Sequence, residues 1–284
     1  MCSLAKNTKD LTVGAMSTKS NCAAEKNAAT SRRANLLSGA EWLQRSFSVW
    51  RDLDKSGEER KLKHPAMFTL KLVERILETY SRKAGVLLDP FAGSGTALLA
   101  ALNSNMEAIG LDINPGYRQC FEGRADLFGA SRWHYHVLDA RRLGDVVPPE
   151  SVDICVTSPP YWDILNRRRT ADGKAARPYT DSANDLGNMA EYEEFLLSLG
   201  EILSAVRAAL KPRAYLVLNV MDLRKGSVFY PLHMDATNVA RKSGFELQDI
   251  IIWDRQKDYN SMRPLGYPHK FIINKVHEYL LVFR

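Results

Sequence analysis

The sequence predicts an α/β fold, a mostly parallel seven-stranded sheet with helices on both faces. Three observations predict it. Short β-branched runs alternate with helical periodicity from residue 86 onward. The first of these runs passes through a tight glycine turn straight into a helix. The first three runs each lead into an aspartate, which brings three acids to the carboxyl edge, where such sheets bind their ligands.

The strands are expected at 86–89 (VLLD), 108–113 (AIGLDI), 134–138 (HYHVL), 152–157 (VDICVT), 214–221 (AYLVLNVM), 247–253 (LQDIIIW) and 278–283 (EYLLVF). Helical patterns lie at 95–104, 116–128, 191–210 and 230–243. Ahead of the sheet, 66–82 reads as a helix with Met67, Leu70, Val73, Ile76 and Leu77 on one face. Pro65 stands near its first turn, where a missing N–H costs little. Trp42, Phe47 and Trp50 are spaced as anchors of a short amphipathic segment. One repeating pattern argues for one domain over 35–284. Residues 1–34 carry six basic residues against two acidic and read as a disordered basic tail, or as an arm that lies on nucleic acid.

With 45% hydrophobic and 25% charged residues the chain can fill a sizeable core, and a formal charge of +6 favours an anionic partner. Cys2, Cys22, Cys120 and Cys155 have no metal-ligand spacing and read as reduced thiols. No metal site is expected. No apolar run approaches the roughly 18 residues of a membrane span. A cytoplasmic protein is expected.

The glycine turn is Asp89-Pro90-Phe91-Ala92-Gly93-Ser94-Gly95-Thr96. It lacks the third glycine of a dinucleotide fingerprint, because Leu98 stands there, and the Gly-Lys-Ser/Thr of a phosphate loop, which disfavours NAD and ATP. Asp112 follows Gly93 by 19 positions, the interval at which an acid on the second strand reaches ribose hydroxyls. Asp139-Ala140 ends the third strand. Three such acids suit a nucleoside with cationic and hydroxyl groups rather than a pyrophosphate.

The fourth strand runs into Ser158-Pro159-Pro160-Tyr161-Trp162. The prolines fix the backbone and remove two N–H donors, leaving carbonyl acceptors. Methylation of an exocyclic amino group needs this arrangement. The amino lone pair is delocalised into the ring, so acceptors must hold the N–H bonds and aim the lone pair, while an aromatic face stacks on an extruded base. Methylation at C5 would need a cysteine in a Pro-Cys context, which the chain lacks.

HPAMF, DPFAGSGT, GLDINP, TSPPYW and HEYLLVFR, in that order over about residues 42–284, resemble the amino-methylating DNA methyltransferases that act on cytosine N4 or adenine N6. The resemblance implies a Rossmann-like, S-adenosylmethionine-dependent methyltransferase fold with one added antiparallel strand, completed by Glu278 to Phe283. It implies that Asp89, Phe91, Gly93, Ser94, Gly95 and Thr96 line the methionine part of the cofactor. Asp112 with Ile113 would bind the ribose, and Asp139 with Ala140 would lie by the adenine. His64, Pro65 and Phe68 match the segment that closes over the cofactor. Ser158, Pro159, Pro160 and Tyr161 would hold the target amino group and stack on the base. Serine at the first motif position looks like the cytosine-N4 type. Adenine N6, an RNA base and an idle DNA-binding scaffold are the competing readings.

The cofactor motifs precede the catalytic motif, and no separate target-recognition domain is evident. Residues 163–188 read as a long basic loop beside the extruded base. Arg167, Arg168, Arg169, Lys174 and Arg177, with Trp162, are the expected DNA contacts. A second candidate runs from Arg255 to Lys275 and holds Arg263, Tyr267, His269 and Lys270. DNA is the expected partner; a cognate restriction endonuclease, and monomer against homodimer, stay open.

Overall fold

A computed structural model describes residues 35–61, 68–81, 84–126, 128–166, 175–176, 178–259, 264–265 and 268–284. Its centre is five parallel strands: β2 (Val86–Asp89), β3 (Glu107–Asp112), β4 (Trp133–Val137), β5 (Val152–Thr157) and β6 (Leu210–Val220). β9 (Leu247–Asp254) and β10 (His277–Phe283) extend the sheet, and β10 is antiparallel to both β6 and β9, between which it lies. The expected added antiparallel strand is therefore present.

The main sheet has eight strands, not seven. The extra one, β1 (Val49–Trp50), pairs in parallel with the outer edge of β9 and is too short to produce a period in the sequence. A second departure is a hairpin of β7 (Leu223–Lys225) and β8 (Val228–Tyr230), turned at Gly226 in the left-handed region.

The strand order β1-β9-β10-β6-β5-β2-β3-β4 reverses direction of growth between β2 and β5. That reversal opens a crevice at the carboxyl end of β2. Both faces are covered. On one lie α3 (Leu70–Tyr80) and α4 (Thr96–Asn103), packed on Leu87, Ile154 and Val156. On the other lie α6 (Tyr192–Ala209) and α7 (Leu232–Lys242), packed on Leu88, Cys155 and Leu218. Successive residues of β2 and β5 thus feed opposite cores, which is why these strands read as continuous apolar runs.

α3 is shorter than its expected span. It starts at Leu70, where the Thr69 hydroxyl accepts from the Leu72 N–H at 3.2 Å, and its buried side chains are Leu72, Val73, Ile76, Leu77 and Thr79. Two short helices, α1 (Gly39–Arg45) and α2 (Gly57–Lys61), precede it, and α5 (Pro115–Ala125) follows β3. Of the three expected aromatic anchors only Trp50 is buried; Trp42 and Phe47 lie on the surface. Among the described residues no helix is long and apolar enough to cross a membrane.

The turn between β2 and α4 is fixed by backbone bonds from Ala92 to Leu111 and from Gly95 to Ala92, each 2.8 Å. Gly95 has φ +77°, and a Cβ there would meet the Phe121 ring at 2.1 Å. Gly95→Ala is expected to destabilise the protein by about 2–5 kcal/mol, the sum of a left-handed backbone penalty and overpacking against a ring. A urea midpoint equal to that of the wild type would contradict this packing.

Candidate active site

The crevice is a partly open cleft. The glycine turn walls it, with Asp112, Ile113, Asp139, Ala140 and Phe68 around the turn and Ser158 and Pro160 on the far side. Most of the expected cofactor residues, with Ser158 and Pro160 of the catalytic motif, therefore line one cleft, whereas Asp89, Gly95, Pro159 and Tyr161 are not on its wall. His64 and Pro65 lie outside the described residues.

The three acids differ in their surroundings. Asp89 is 1% exposed and accepts from the Thr157 hydroxyl at 2.6 Å and the Phe91 N–H at 3.0 Å. Burial pushes its carboxyl up to about 7 in spite of those bonds. Asp112 accepts from the Gly93 and Asn114 N–H groups, both at 2.8 Å, and thereby ties β3 to the glycine turn. Burial raises its carboxyl to about 6, against these backbone donors and with help from the neighbouring charge of Asp185. A carboxylate offers about four lone-pair sites, so Asp112 keeps acceptor capacity on the cleft it lines. Asp139 is different: burial would raise it, but hydrogen bonds and charge from Arg141, 2.6 Å away, hold it below the usual carboxylate range. It also caps the turn Ala140–Asp145 through the Arg141 N–H.

Among the described residues no cation pairs with Asp89 or Asp112. A raised carboxyl on the cleft wall, Asp112, with the raised and buried Asp89 next to the wall residue Pro90, is what a cationic nucleoside ligand would relieve, and among the described residues the buried Thr96 hydroxyl, also on the cleft wall, has no partner. The residues fit an S-adenosylmethionine-like molecule, with hydroxyl acceptors at Asp112 and negative charge at the glycine turn.

Residues 178–188, read in the sequence only as part of a basic loop, close one side of this cleft. Tyr179 and Asp185 line it; the Tyr179 carbonyl accepts from Asn114 at 2.7 Å, and Asp185 is held by the Thr180 hydroxyl and the Gly187 N–H at 2.8 Å each. The Asp185-x-Gly187 turn was the signal that could have separated this cap from the charged loop before it. Arg167, Arg168, Arg169, Lys174 and Arg177 lie outside the described residues, as do Arg263 and Tyr267.

At the motif itself Pro159 is buried, and Ser158, Pro160 and Tyr161 are half-buried. The Tyr161 hydroxyl donates to Glu278 at 2.8 Å and lies 3.0 Å from the Ser158 hydroxyl. Asn219 donates to Tyr161 at 2.9 Å and to Glu278 at 2.6 Å, and stands 3.5 Å from Ser158. Arg255 is ion-paired with the other Glu278 oxygen. Sequence reasoning did not single out Glu278 or Asn219. Trp162, expected at the nucleic acid, is instead a core side chain. It is 4% exposed, donates its ring N–H to the Met189 carbonyl at 2.9 Å, packs on Tyr192 and Tyr230, and carries the Lys225 ammonium over its ring. Its φ of +51° turns the chain inward directly after Tyr161. Among the described residues no His, Cys, Asp and Glu group has the arrangement of a metal site, and Cys155 is a buried free thiol.

The chain is similar in sequence to known methyltransferases. A Type II methyltransferase of Streptomyces caespitosus, M.ScaI, is 35% identical over 72 residues, 25% of this chain and 24% of that one. A tRNA (guanine(10)-N2)-dimethyltransferase of Methanothermobacter thermautotrophicus is 31% identical over 136 residues, 47% of this chain and 38% of its own. A Thermus thermophilus structure provisionally assigned as a DNA modification methylase, complexed with S-adenosyl-L-methionine, is 31% identical over 51% of this chain and 52% of its own, with a TM-score of 0.36. The chain spans about a quarter of the length of the first relative. The DNA methylase family profile matches far more of the chain, residues 4–122 and 152–284, so that the glycine turn, Asp112 and the Ser-Pro-Pro-Tyr edge fall within it while Asp139 and Ala140 do not. By that match the chain belongs to the amino-methylating DNA methylase family.

Proposed function

We propose that this chain transfers a methyl group from S-adenosylmethionine to the N4 amino group of cytosine in DNA, in line and directly, on a base extruded from the duplex. One observation carries the reading: Ser158 and Pro160 of the motif share a cleft with Asp112, a raised carboxyl that no cation pairs with among the described residues. The sulfonium cofactor supplies an electrophilic methyl group when bound. Asp89, Phe91, Gly93, Ser94, Gly95 and Thr96 would hold its methionine part, Asp112 and Ile113 its ribose, and Asp139 and Ala140 its adenine edge. Ser158 and the proline carbonyls would accept from the amino N–H bonds and turn the nitrogen lone pair toward the cofactor, and the Tyr161 ring would stack on the base. Residues 35–284 would form the catalytic domain behind a basic tail, 1–34.

Serine in place of an acid at the motif's first position favours cytosine N4 over adenine N6. The likeness to a tRNA dimethyltransferase keeps RNA as the second reading. Purified protein, labelled S-adenosylmethionine and either genomic DNA or total RNA, followed by nucleoside mass spectrometry, decides among them. N4-methylcytosine from DNA is expected. N6-methyladenine would keep the chemistry and move the base, and label in RNA alone would move the substrate.

The basic loop gives a second expectation. Replacing Arg167, Arg168 and Arg169 with alanine should weaken DNA binding uniformly across sequences and lower the slope of log K against log salt by about 2–3, at about 0.9 per phosphate contact. An unchanged slope would place the phosphates elsewhere.

A further inference from the structure

Serine is a weaker acceptor than a carboxylate, and its hydroxyl can as readily donate toward an amino group, which would repel it. The polar cluster behind the motif settles which way that hydroxyl points. Glu278 is 3% exposed at the start of β10 and ion-paired with Arg255, so it only accepts. The single Tyr161 proton must therefore go to Glu278, 2.8 Å away. The phenol oxygen then has lone pairs only to offer, and two donors reach it: Asn219 at 2.9 Å and Ser158 at 3.0 Å. Ser158 spends its proton on Tyr161 and keeps lone pairs for the cleft it lines.

We infer that Glu278 is a positioning residue that fixes the polarity of Ser158 through Tyr161, making the serine an acceptor for the target amino group. The carboxylate missing from the first motif position acts from another strand, 117 residues after Tyr161. Asn219 serves the same chain by filling the second site on the phenol and steadying Glu278 at 2.6 Å. The inference rests on the amino-methylation reading proposed above.

Glu278→Gln tests it. The amide keeps the shape but can donate to Tyr161; the chain then turns round, Tyr161 donates to Ser158, and Ser158 aims its proton at the amino group. With full-length protein, S-adenosylmethionine and genomic DNA, the single-turnover transfer rate should fall 10²-fold or more, with the cofactor Kd within twofold of wild type. Tyr161→Phe cuts the chain and keeps the ring. In that background Glu278→Gln should change the rate by less than threefold, because the carboxylate acts only through the tyrosine hydroxyl. Equal losses in both backgrounds would show Glu278 to be merely structural, and a wild-type rate in Glu278→Gln would overturn the inference outright. A wild-type protein that methylates neither DNA nor RNA would instead defeat the amino-methylation reading. The hydroxyl direction is read separately by neutron crystallography: a Tyr161 proton on the Ser158 side overturns it, and one on the Glu278 side supports it.

Discussion

Asp112→Ala is expected to weaken S-adenosylmethionine binding by about 10²-fold or more and to leave the fold in place. The carboxylate does two jobs. Two of its lone pairs hold the Gly93 and Asn114 N–H groups at 2.8 Å, which sets the glycine turn against β3. The remaining lone pairs are on the cleft, where two ribose hydroxyls would bind. Hydrogen bonds to a charged group contribute about 1.5–3 kcal/mol each, and tenfold in Kd is about 1.4 kcal/mol, so losing two gives the expected factor. Calorimetric titration measures it; a Kd within threefold of wild type would remove Asp112 from the cofactor site. The same carboxyl predicts a pH dependence. Burial raises Asp112 to about 6 and Asp89 to about 7, so both are increasingly neutral below those values. In the unliganded protein a raised carboxyl lowers stability as pH climbs from about 4 to its folded value, since only the folded state still holds the proton there. A cationic cofactor reverses that preference. Binding near pH 6.5 should release protons and weaken as pH falls through 6, visible as a buffer-dependent heat in the titration. Asp112→Asn should lose the smaller share of the proton release at that pH and leave the larger share, which comes from Asp89.

The acids were legible because a strand end is a local feature. A β-branched run followed by Asp places a carboxylate on the carboxyl edge whichever strands become neighbours, and parallel order brings those edges together. Ser158, Pro159, Pro160 and Tyr161 were legible for the same reason. What the sequence hid depends on sheet order. Glu278 reaches Tyr161 only because β10 inserts antiparallel between β6 and β9, so that its first residues arrive at the edge where β6 ends. Asn219 lies mid-run in AYLVLNVM and looks like an interruption of an apolar strand until the neighbour is known. Trp162 misled in the other direction. An aromatic residue beside Tyr161 suggests a second stacking face, but a positive φ and the Tyr192–Tyr230–Lys225 cluster draw it into the core. β1, with two residues, has no period to read.

Tyr161→Ala and Pro160→Ala should each abolish measurable turnover while the cofactor still binds within about twofold of wild-type affinity. In the proposed reaction the tyrosine ring would be the stacking face, worth about 1–3 kcal/mol per base, and its hydroxyl is the link between Glu278 and Ser158. Alanine removes both, and it leaves a buried carboxylate short of a donor. Pro160→Ala removes no polar contact. It restores an N–H beside carbonyls that must accept and frees a backbone angle that the ring had fixed. A misplacement of about 1 Å at reacting atoms can cost 10²-fold in rate, so a methylene-scale change here acts through geometry alone. The pair separates the two halves of the cleft. On the proposed reading, cofactor affinity would depend on the glycine turn and Asp112, which neither substitution alters, whereas transfer would depend on the aim of the amino nitrogen. Single-turnover rates beside equilibrium cofactor titrations provide the check. Methylation retained in Pro160→Ala would mean that the amino group is held by something other than this rigid turn, and cofactor binding lost in either variant would mean that the two halves fold as one.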